Sequence, residues 1–106
     1  MEGTLMVELL ATQVQEMEIG QVLKALADEH RRRIIVELAA DPLDGERTCN
    51  SFELPLSKQT VSHHFKTLLS AGLINQVNYG NRQGISLRRG EIEEKFPGLL
   101  SLLQTS

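Results

Sequence analysis

SKQTVSHHFKTLLSAG, residues 57–72, is the stretch whose reading decides the fold. At helical period Val61, Phe65, Leu68 and Leu69 fall at i, i+4, i+7 and i+8, the stripe that a helix buries against its own domain. The opposite face carries Lys58, Gln59, Ser62, His63 and Lys66 and no carboxylate. Side chains of these types donate hydrogen bonds to phosphates and to base edges in a major groove. Ser57 is a good N-cap, Pro55 keeps the incoming chain extended, and Gly72 can take the left-handed conformation that closes a helix, so the sequence predicts a helix over 58–71. Its N-terminus, beside Ser57, also favours a nearby phosphate. A merely solvated helix can present the same face, so the flanking sequence has to choose.

Charge distribution is the first part of that choice. The chain of 106 residues has a net charge of −3, which by itself speaks against a polyanionic partner. Residues 1–54 hold five Lys/Arg against eleven Asp/Glu, a net of −6; residues 55–90 hold five Lys/Arg and no acid; residues 91–106 hold one against three. A cationic segment inside an acidic chain is the local footprint of a nucleic-acid site, and the acidic remainder weakens indiscriminate binding. The length suits one domain with a modest core that a second copy would help to stabilise. One cysteine, Cys49, makes no internal disulfide; with no cleavable signal and no long apolar run, the chain reads as cytoplasmic and away from any membrane.

Working outward towards the N-terminus, Ile19, Val22, Leu23 and Leu26 give the i, i+3, i+4, i+7 pattern of a helix over about 15–27, weakened by Gly20. An earlier helix is expected at LMVELLA, residues 5–11, with Leu5, Leu9 and Leu10 on one side. Asp28 reads as a break and an N-cap, and a helix over 29–40 buries Ile34, Ile35 and Leu38 before Asp41-Pro42 ends it. Arg31, Arg32 and Arg33 fan around that helix and are expected to pair with acidic neighbours rather than to meet DNA. DPLDGERT is a loop, and a short helix over 48–53 leads into the 57–72 stretch. Two helices joined by a tight turn, the second carrying the donors, are helix-turn-helix geometry.

Beyond Gly72 the period changes to 2. Residues 73–77 and 84–87 read as strands joined by NYGNRQ, where Gly80 and Asn81 can take positive φ and Arg82 stands near the tip. A cationic tip beside such a helix can touch the sugar-phosphate backbone or the minor groove. Pro97 suits a first helical position, so the last helix is expected over 97–104, with Leu99, Leu100, Leu102 and Leu103 apolar nearly all round. With LMVELLA it predicts an interface with a second copy built from Leu5, Leu9, Leu99, Leu100 and Leu103. The alternative is that both segments cover the monomer's own core.

The strings LKALADEHRRRIIVEL and SKQTVSHHFKTLLSAGLI, followed by YGNRQGISL, resemble the ArsR/SmtB family of dimeric winged-helix repressors over about residues 22–103. The resemblance implies a single, mainly α domain with a small β-hairpin wing at 73–88, a helix-turn-helix at 48–72, and dimerisation through the terminal helices at 1–27 and 97–106. It further implies a homodimer that binds double-stranded DNA at an imperfect inverted repeat. Base-reading and phosphate-contacting positions then fall on Lys58, Gln59, Thr60, Ser62, His63 and Lys66, next to Ser57, with the wing contact at Arg82 and its neighbour Asn81.

The departure from the family is at the sensor. Metal-responsive relatives carry a Cys-x-Cys element in the short helix and histidines in the last one, whereas RTCNSFEL holds Cys49 alone and the terminal segment has neither His nor Cys. No metal site or cofactor is therefore expected, although a site across the dimer from Cys49, His30 and acidic residues is an alternative. His63 and His64 point about 100° apart on a helix and cannot chelate one ion together; His64 belongs to the buried side, His63 to the groove, and His30 to the surface. The inducer is left open between a small molecule, chemistry at Cys49, a partner protein and none, with Cys49 read as inert. No nucleophile elbow, phosphate loop, zinc-helix motif or dinucleotide fingerprint is present, so an enzyme is not expected. The competing class is a winged-helix protein-interaction module without sequence-specific DNA binding.

Overall fold

A computed structural model describes residues 17–106. Helix α1 spans Ile19–Leu26 and α2 spans Glu29–Ala39, separated by a turn in which the Asp28 carboxylate accepts hydrogen bonds from the backbone N–H groups of His30 (2.8 Å) and Arg31 (3.1 Å). Those contacts satisfy two donors that a helix start otherwise leaves unpaired. Helix α2 is the central strut, packed by α1, by the 57–72 helix, by a strand of the sheet and by the last helix. Its Ile34 and Ile35 are fully buried.

The segment expected as loop and short helix is built differently. Arg47–Thr48 form a two-residue strand, β1, and Cys49–Ser51 a single 3₁₀ turn. β1 pairs antiparallel with a later strand, Arg47 opposite Ile85 and Thr48 opposite Gly84. Backbone pairing with a segment far along the chain outweighs local helical preference here, as it often does for strands this short.

Helix α3, Lys58–Ser70, begins and ends as the sequence predicts. Ser57 Oγ accepts from Thr60 N at 3.2 Å. At the other end Gly72 sits at φ 82°, Gly72 N donates to Leu69 O and Leu73 N to Leu68 O, the paired bonds of a Schellman motif. The buried side differs by one residue: Phe65 and Leu68 are buried and Val61 half-buried, but Leu69 is 41% exposed and His64 takes its place at 6%. At about 100° per residue the two sets cover arcs of equal width, so the buried face is the predicted stripe shifted towards His64, which the sequence places on the buried side.

Strands β2 (Ile74–Asn78) and β3 (Gln83–Leu87) form the wing, and the sheet order is β1-β3-β2. Tyr79 N donates to Arg82 O, and Gly80 closes the tip at φ 88°. Asn81, expected as a second positive-φ candidate, does not adopt that conformation.

Arg89–Lys95 form α4, a helix absent from the sequence reading, and α5 is Leu99–Gln104, starting after Pro97 and a Gly98 at φ 90°. Ile92, fully buried, is the only buried side chain of α4, which is why no period announced it. Val22, Leu68, Leu73, Ile74, Ile85 and Leu100 complete the core with Ile34, Ile35 and Ile92.

Candidate nucleic-acid interface

Burial of Phe65 and Leu68 fixes which way α3 faces, and Lys58, Gln59, Ser62, His63 and Lys66 are left exposed together. They line a groove of about 560 Å³ whose other wall is the stem of the wing, where Gln76 Nε2 donates to Gln83 Oε1 at 3.0 Å. Cys49 lies at its edge. The donors are thus gathered in one concave strip open to solvent.

Gln76 and Gln83 are members of this strip that the sequence reading missed. The signal was available in the hairpin's alternation. Register pairs Ile74 with Leu87 and Gln76 with Ile85, so residues 74, 76, 83, 85 and 87 share a face. That face is apolar where it covers the core and turns to glutamine where it leaves the core and passes beside α3.

Ser57 and Thr60 are not among the residues that line the groove; their hydroxyls lie 2.9 Å apart and Ser57 is occupied as the cap. Their first duty is to the helix. At the wing tip the Arg82 guanidinium stands 4.7 Å from the centre of the Tyr79 ring, a cation–π arrangement that limits where the charge can go. The Tyr79 hydroxyl in turn donates to Glu46 (2.7 and 3.0 Å), and that carboxylate pushes the phenol above its ordinary value. Asn81 is exposed at the same tip.

The cation count of residues 55–90 overstates what a polyanion meets. Arg89 is turned inward, donating to Asp44 at 2.9 Å and to the carbonyls of Ala39 and Asp41. Arg88 is 7% exposed and 3.8 Å from Glu91. Lys58, Lys66 and Arg82 are the exposed cations of that segment.

The arginine triplet departs from expectation in a related way. Arg33 does pair with an acid, Glu37, at 3.1 Å. Arg31 and Arg32 instead donate to carbonyls at the end of α1: Arg31 to Ala25 O (2.7 Å) and Lys24 O (3.3 Å), Arg32 to Leu26 O (2.8 Å) and Ala27 O (2.9 Å). The partly negative C-terminus of a helix leaves such carbonyls without partners, and a planar fork of N–H donors matches them.

His64 packs inside, as expected from its side of the helix. Burial is the main reason its imidazole titrates below the ordinary value; Arg31, His30 and His63 push the same way against the opposing pull of Asp28. His30, expected at the surface, is half-buried between Glu29 and the His64 ring. Burial pushes the Cys49 thiol up, which disfavours the reactive thiolate. Arg47, its cationic neighbour in sequence, is engaged with Glu37, Ser51 and the Phe52 ring. Among the described residues no group of three His, Cys, Asp or Glu side chains is placed to hold a metal ion, and no helix is long and apolar enough to cross a membrane.

At the terminal helix Leu100 is 2% exposed and Leu99 and Leu103 are half-buried against the chain's own core, while Leu102 is 63% exposed. Leu5 and Leu9 lie outside the described residues. On α1, Val22 and Leu26 face inward but Ile19 and Leu23, expected on the same stripe, are 51% and 58% exposed. The helix is apolar on two sides.

Residues 28–76 match the profile of the bacterial regulatory protein, arsR family. YceK, an HTH-type transcriptional regulator of Bacillus subtilis (strain 168), is 36% identical over 90 residues, covering 79% of this chain and 84% of the relative. Among solved structures, an ArsR-like transcriptional regulator from Rhodococcus sp. RHA1 superposes with a TM-score of 0.59 at 26% identity, over 78% of this chain and 76% of that one.

Proposed function

The chain belongs to the ArsR family of bacterial regulatory proteins and is a transcriptional regulator with a DNA-binding helix-turn-helix, not an enzyme; from that premise we propose that it acts in the cytoplasm as a homodimeric repressor that reads an inverted-repeat operator. The observation that carries this reading is the groove itself. Lys58, Gln59, Ser62, His63 and Lys66 meet Gln76 and Gln83 across it, with donors of the kinds that serve phosphates and base edges.

Each subunit places α3 in one major groove, the two half-sites lying on one face of the duplex about 34 Å apart. Lys58 and Lys66 hold phosphates, Arg82 and its neighbour Asn81 reach the backbone from the wing, and Gln59, Ser62 and His63 read bases. Thr60 and Ser57 support the helix start beside the backbone. Dimerisation uses α1 and α5. Support comes from Ile19, Leu23 and Leu102, large apolar side chains that the protomer leaves uncovered, which is the kind of surface an obligate partner buries. Leu99 and Leu103 can contribute their open edges, whereas Leu100 is already used. The short helix and the terminal segment lack the family's usual metal ligands, which leaves a small molecule, chemistry at Cys49 or a partner protein as the classes of signal for relief of repression.

Selection of bound duplexes from a random DNA pool, with the winners titrated at two salt concentrations, tests the reading. An enriched inverted repeat with a steep salt slope supports it. A folded dimer that enriches nothing, and whose partner binding survives neutralisation of residues 58–66, refutes it in favour of a protein-interaction module.

A further inference from the structure

Arg31 and His64 connect the DNA-facing helix to the rest of the domain by a contact that the site's own residues do not explain. His64 is 6% exposed, one position from His63 and two from Lys66. Its Nδ1 lies 3.0 Å from Arg31 NH1, while other nitrogens of the same guanidinium hold the carbonyls of Ala25 and Lys24 at the end of α1. One side chain on α2 therefore ties together α1 and α3.

The chemistry of the pair sets its protonation state. A guanidinium has donors only, so His64 Nδ1 must be the acceptor and the ring proton sits on Nε2. Nε2 faces Asp28 Oδ1 at 3.9 Å, beyond hydrogen-bond reach. The Asp28 carboxylate is committed to the α2 start through His30 N and Arg31 N. The other titratable groups around the ring are His30 on α2, with ring centres 6.2 Å apart, and His63 on α3 itself, at 6.3 Å. The imidazole thus has one nearby anion, not bonded to it, and one cation bonded to its lone pair.

We propose that Arg31 and His64 are positioning residues for α3, forming a latch that is closed while His64 is neutral and opened by a proton on its Nδ1. The inference rests on the DNA-binding reading and deepens it. Apolar contacts of Phe65 and Leu68 set how deeply α3 sits, but they are not directional and tolerate rotation about the helix axis. A hydrogen bond from a fork anchored at two other points is directional. It fixes the azimuth at which Gln59, Ser62 and His63 leave the surface. A proton taken from solvent onto Nδ1 removes the acceptor and leaves two cations 3.0 Å apart. The pair then separates, and α3 loses its set orientation.

The sign separates this latch from a direct contact. A histidine exposed at the surface of a polyanion gains affinity on protonation, whereas the latch loses it, so His63 and His64 act in opposite directions. The experiment measures the affinity for the selected duplex from about pH 7.5 to about pH 5 at fixed ionic strength, for the wild type and for His64→Asn, whose carbonyl oxygen on Cγ stands where Nδ1 does and can accept from Arg31 but cannot take up a proton. His63 is common to both, so the ratio of the two affinities isolates His64. From the upper to the lower end the ratio of the two affinities is expected to move on the order of tenfold in favour of the variant. Arg31→Ala is expected to bind on the order of tenfold more weakly than wild type at neutral pH. Nitrogen-15 chemical shifts of the His64 ring in the DNA-free protein report the tautomer independently. A proton on Nδ1 at neutral pH, or a ratio that stays flat with pH, overturns the latch. A wild type that prefers no duplex overturns the DNA reading instead, and the ring shifts still decide whether the closed Arg31–His64 contact exists.

Discussion

Replacing Lys66 by alanine tests the division of labour on α3 most directly. Lys66 is exposed midway along the helix, and alanine is the best helix former, so the substitution removes a charge without disturbing the scaffold. The exposed cations of residues 55–90 are Lys58, Lys66 and Arg82, so the proposed dimer offers about six phosphate contacts and a slope of log affinity against log salt of about −5. Removing Lys66 from both subunits leaves about four contacts and a slope nearer −4. Between 50 and 200 mM salt, wild-type affinity is then expected to fall roughly a thousandfold and that of the variant roughly a hundredfold. Fluorescence anisotropy with the selected duplex and a scrambled one, over several salt concentrations, reads both quantities. The variant should weaken on both duplexes by the same factor. An unchanged slope together with an altered preference between them would refute the assignment of Lys66 to the backbone.

Ser57→Ala removes the cap on Thr60 N and should lower stability by about 1 kcal/mol in urea titration, with the sheet intact by circular dichroism. Gly84→Ala would put its Cβ 2.5 Å from Glu46 Oε1 and 2.9 Å from the Tyr79 ring; it should part the Tyr79–Glu46 bond, free Arg82, and weaken binding to all duplexes while costing about 1–3 kcal/mol of stability. Acid should also destabilise the fold. Burial opposes ionisation of Asp28, yet the backbone N–H groups of Arg31 and His30 outweigh it and hold the carboxyl below its ordinary value, and those of Leu43 and Gly45 do the same for Asp41. Both groups contribute stability that is present above the ordinary value of 3.8 and lost as pH falls through their lower folded values. Thermal melts from neutral pH down to about pH 3 should show it, and Asp28→Asn, which keeps a capping oxygen, should flatten the acid limb.

What the sequence made legible was whatever a short-range rule controls. Helix α3 has a cap, a stripe and a stop within sixteen letters, and its ends and exposed donors follow from them. The hairpin announces itself by a change of period and a glycine-bearing turn. Illegible parts depend on distant partners. Arg47 and Thr48 are a strand because Ile85 and Gly84 lie across from them. Helix α4 buries one side chain, too few to make a pattern. Leu69 stays exposed because the face that α3 packs against α1, α2 and β2 is centred away from it, towards His64. Gln76 and Gln83 share a strand face by an alternation the sequence does show, but that this face lies beside α3 is set by the folded domain.

The arginines show why charge counts mislead where charge placement does not. Arg31, Arg32 and Arg89 donate to helix-end carbonyls, and Arg33, Arg47 and Arg89 to carboxylates. A planar fork is suited to that work, while a lysine is a point charge on a flexible stem. Lysines, with Arg82 alone at the wing, are what the groove keeps for a partner. The three exposed cations of residues 55–90 are too few for tight binding to any duplex, and the acidic remainder of the chain repels DNA. One subunit therefore gains little from phosphate alone. In the proposed dimer, discrimination comes from Gln59, Ser62 and His63, and useful affinity from joining two such grooves at fixed spacing, which turns the second half-site into an intramolecular contact. The proposed reading therefore predicts that polar replacement of the uncovered Ile19, Leu23 and Leu102, if it abolishes the dimer, abolishes operator binding even with every groove residue in place, which sedimentation and anisotropy on the same samples would check.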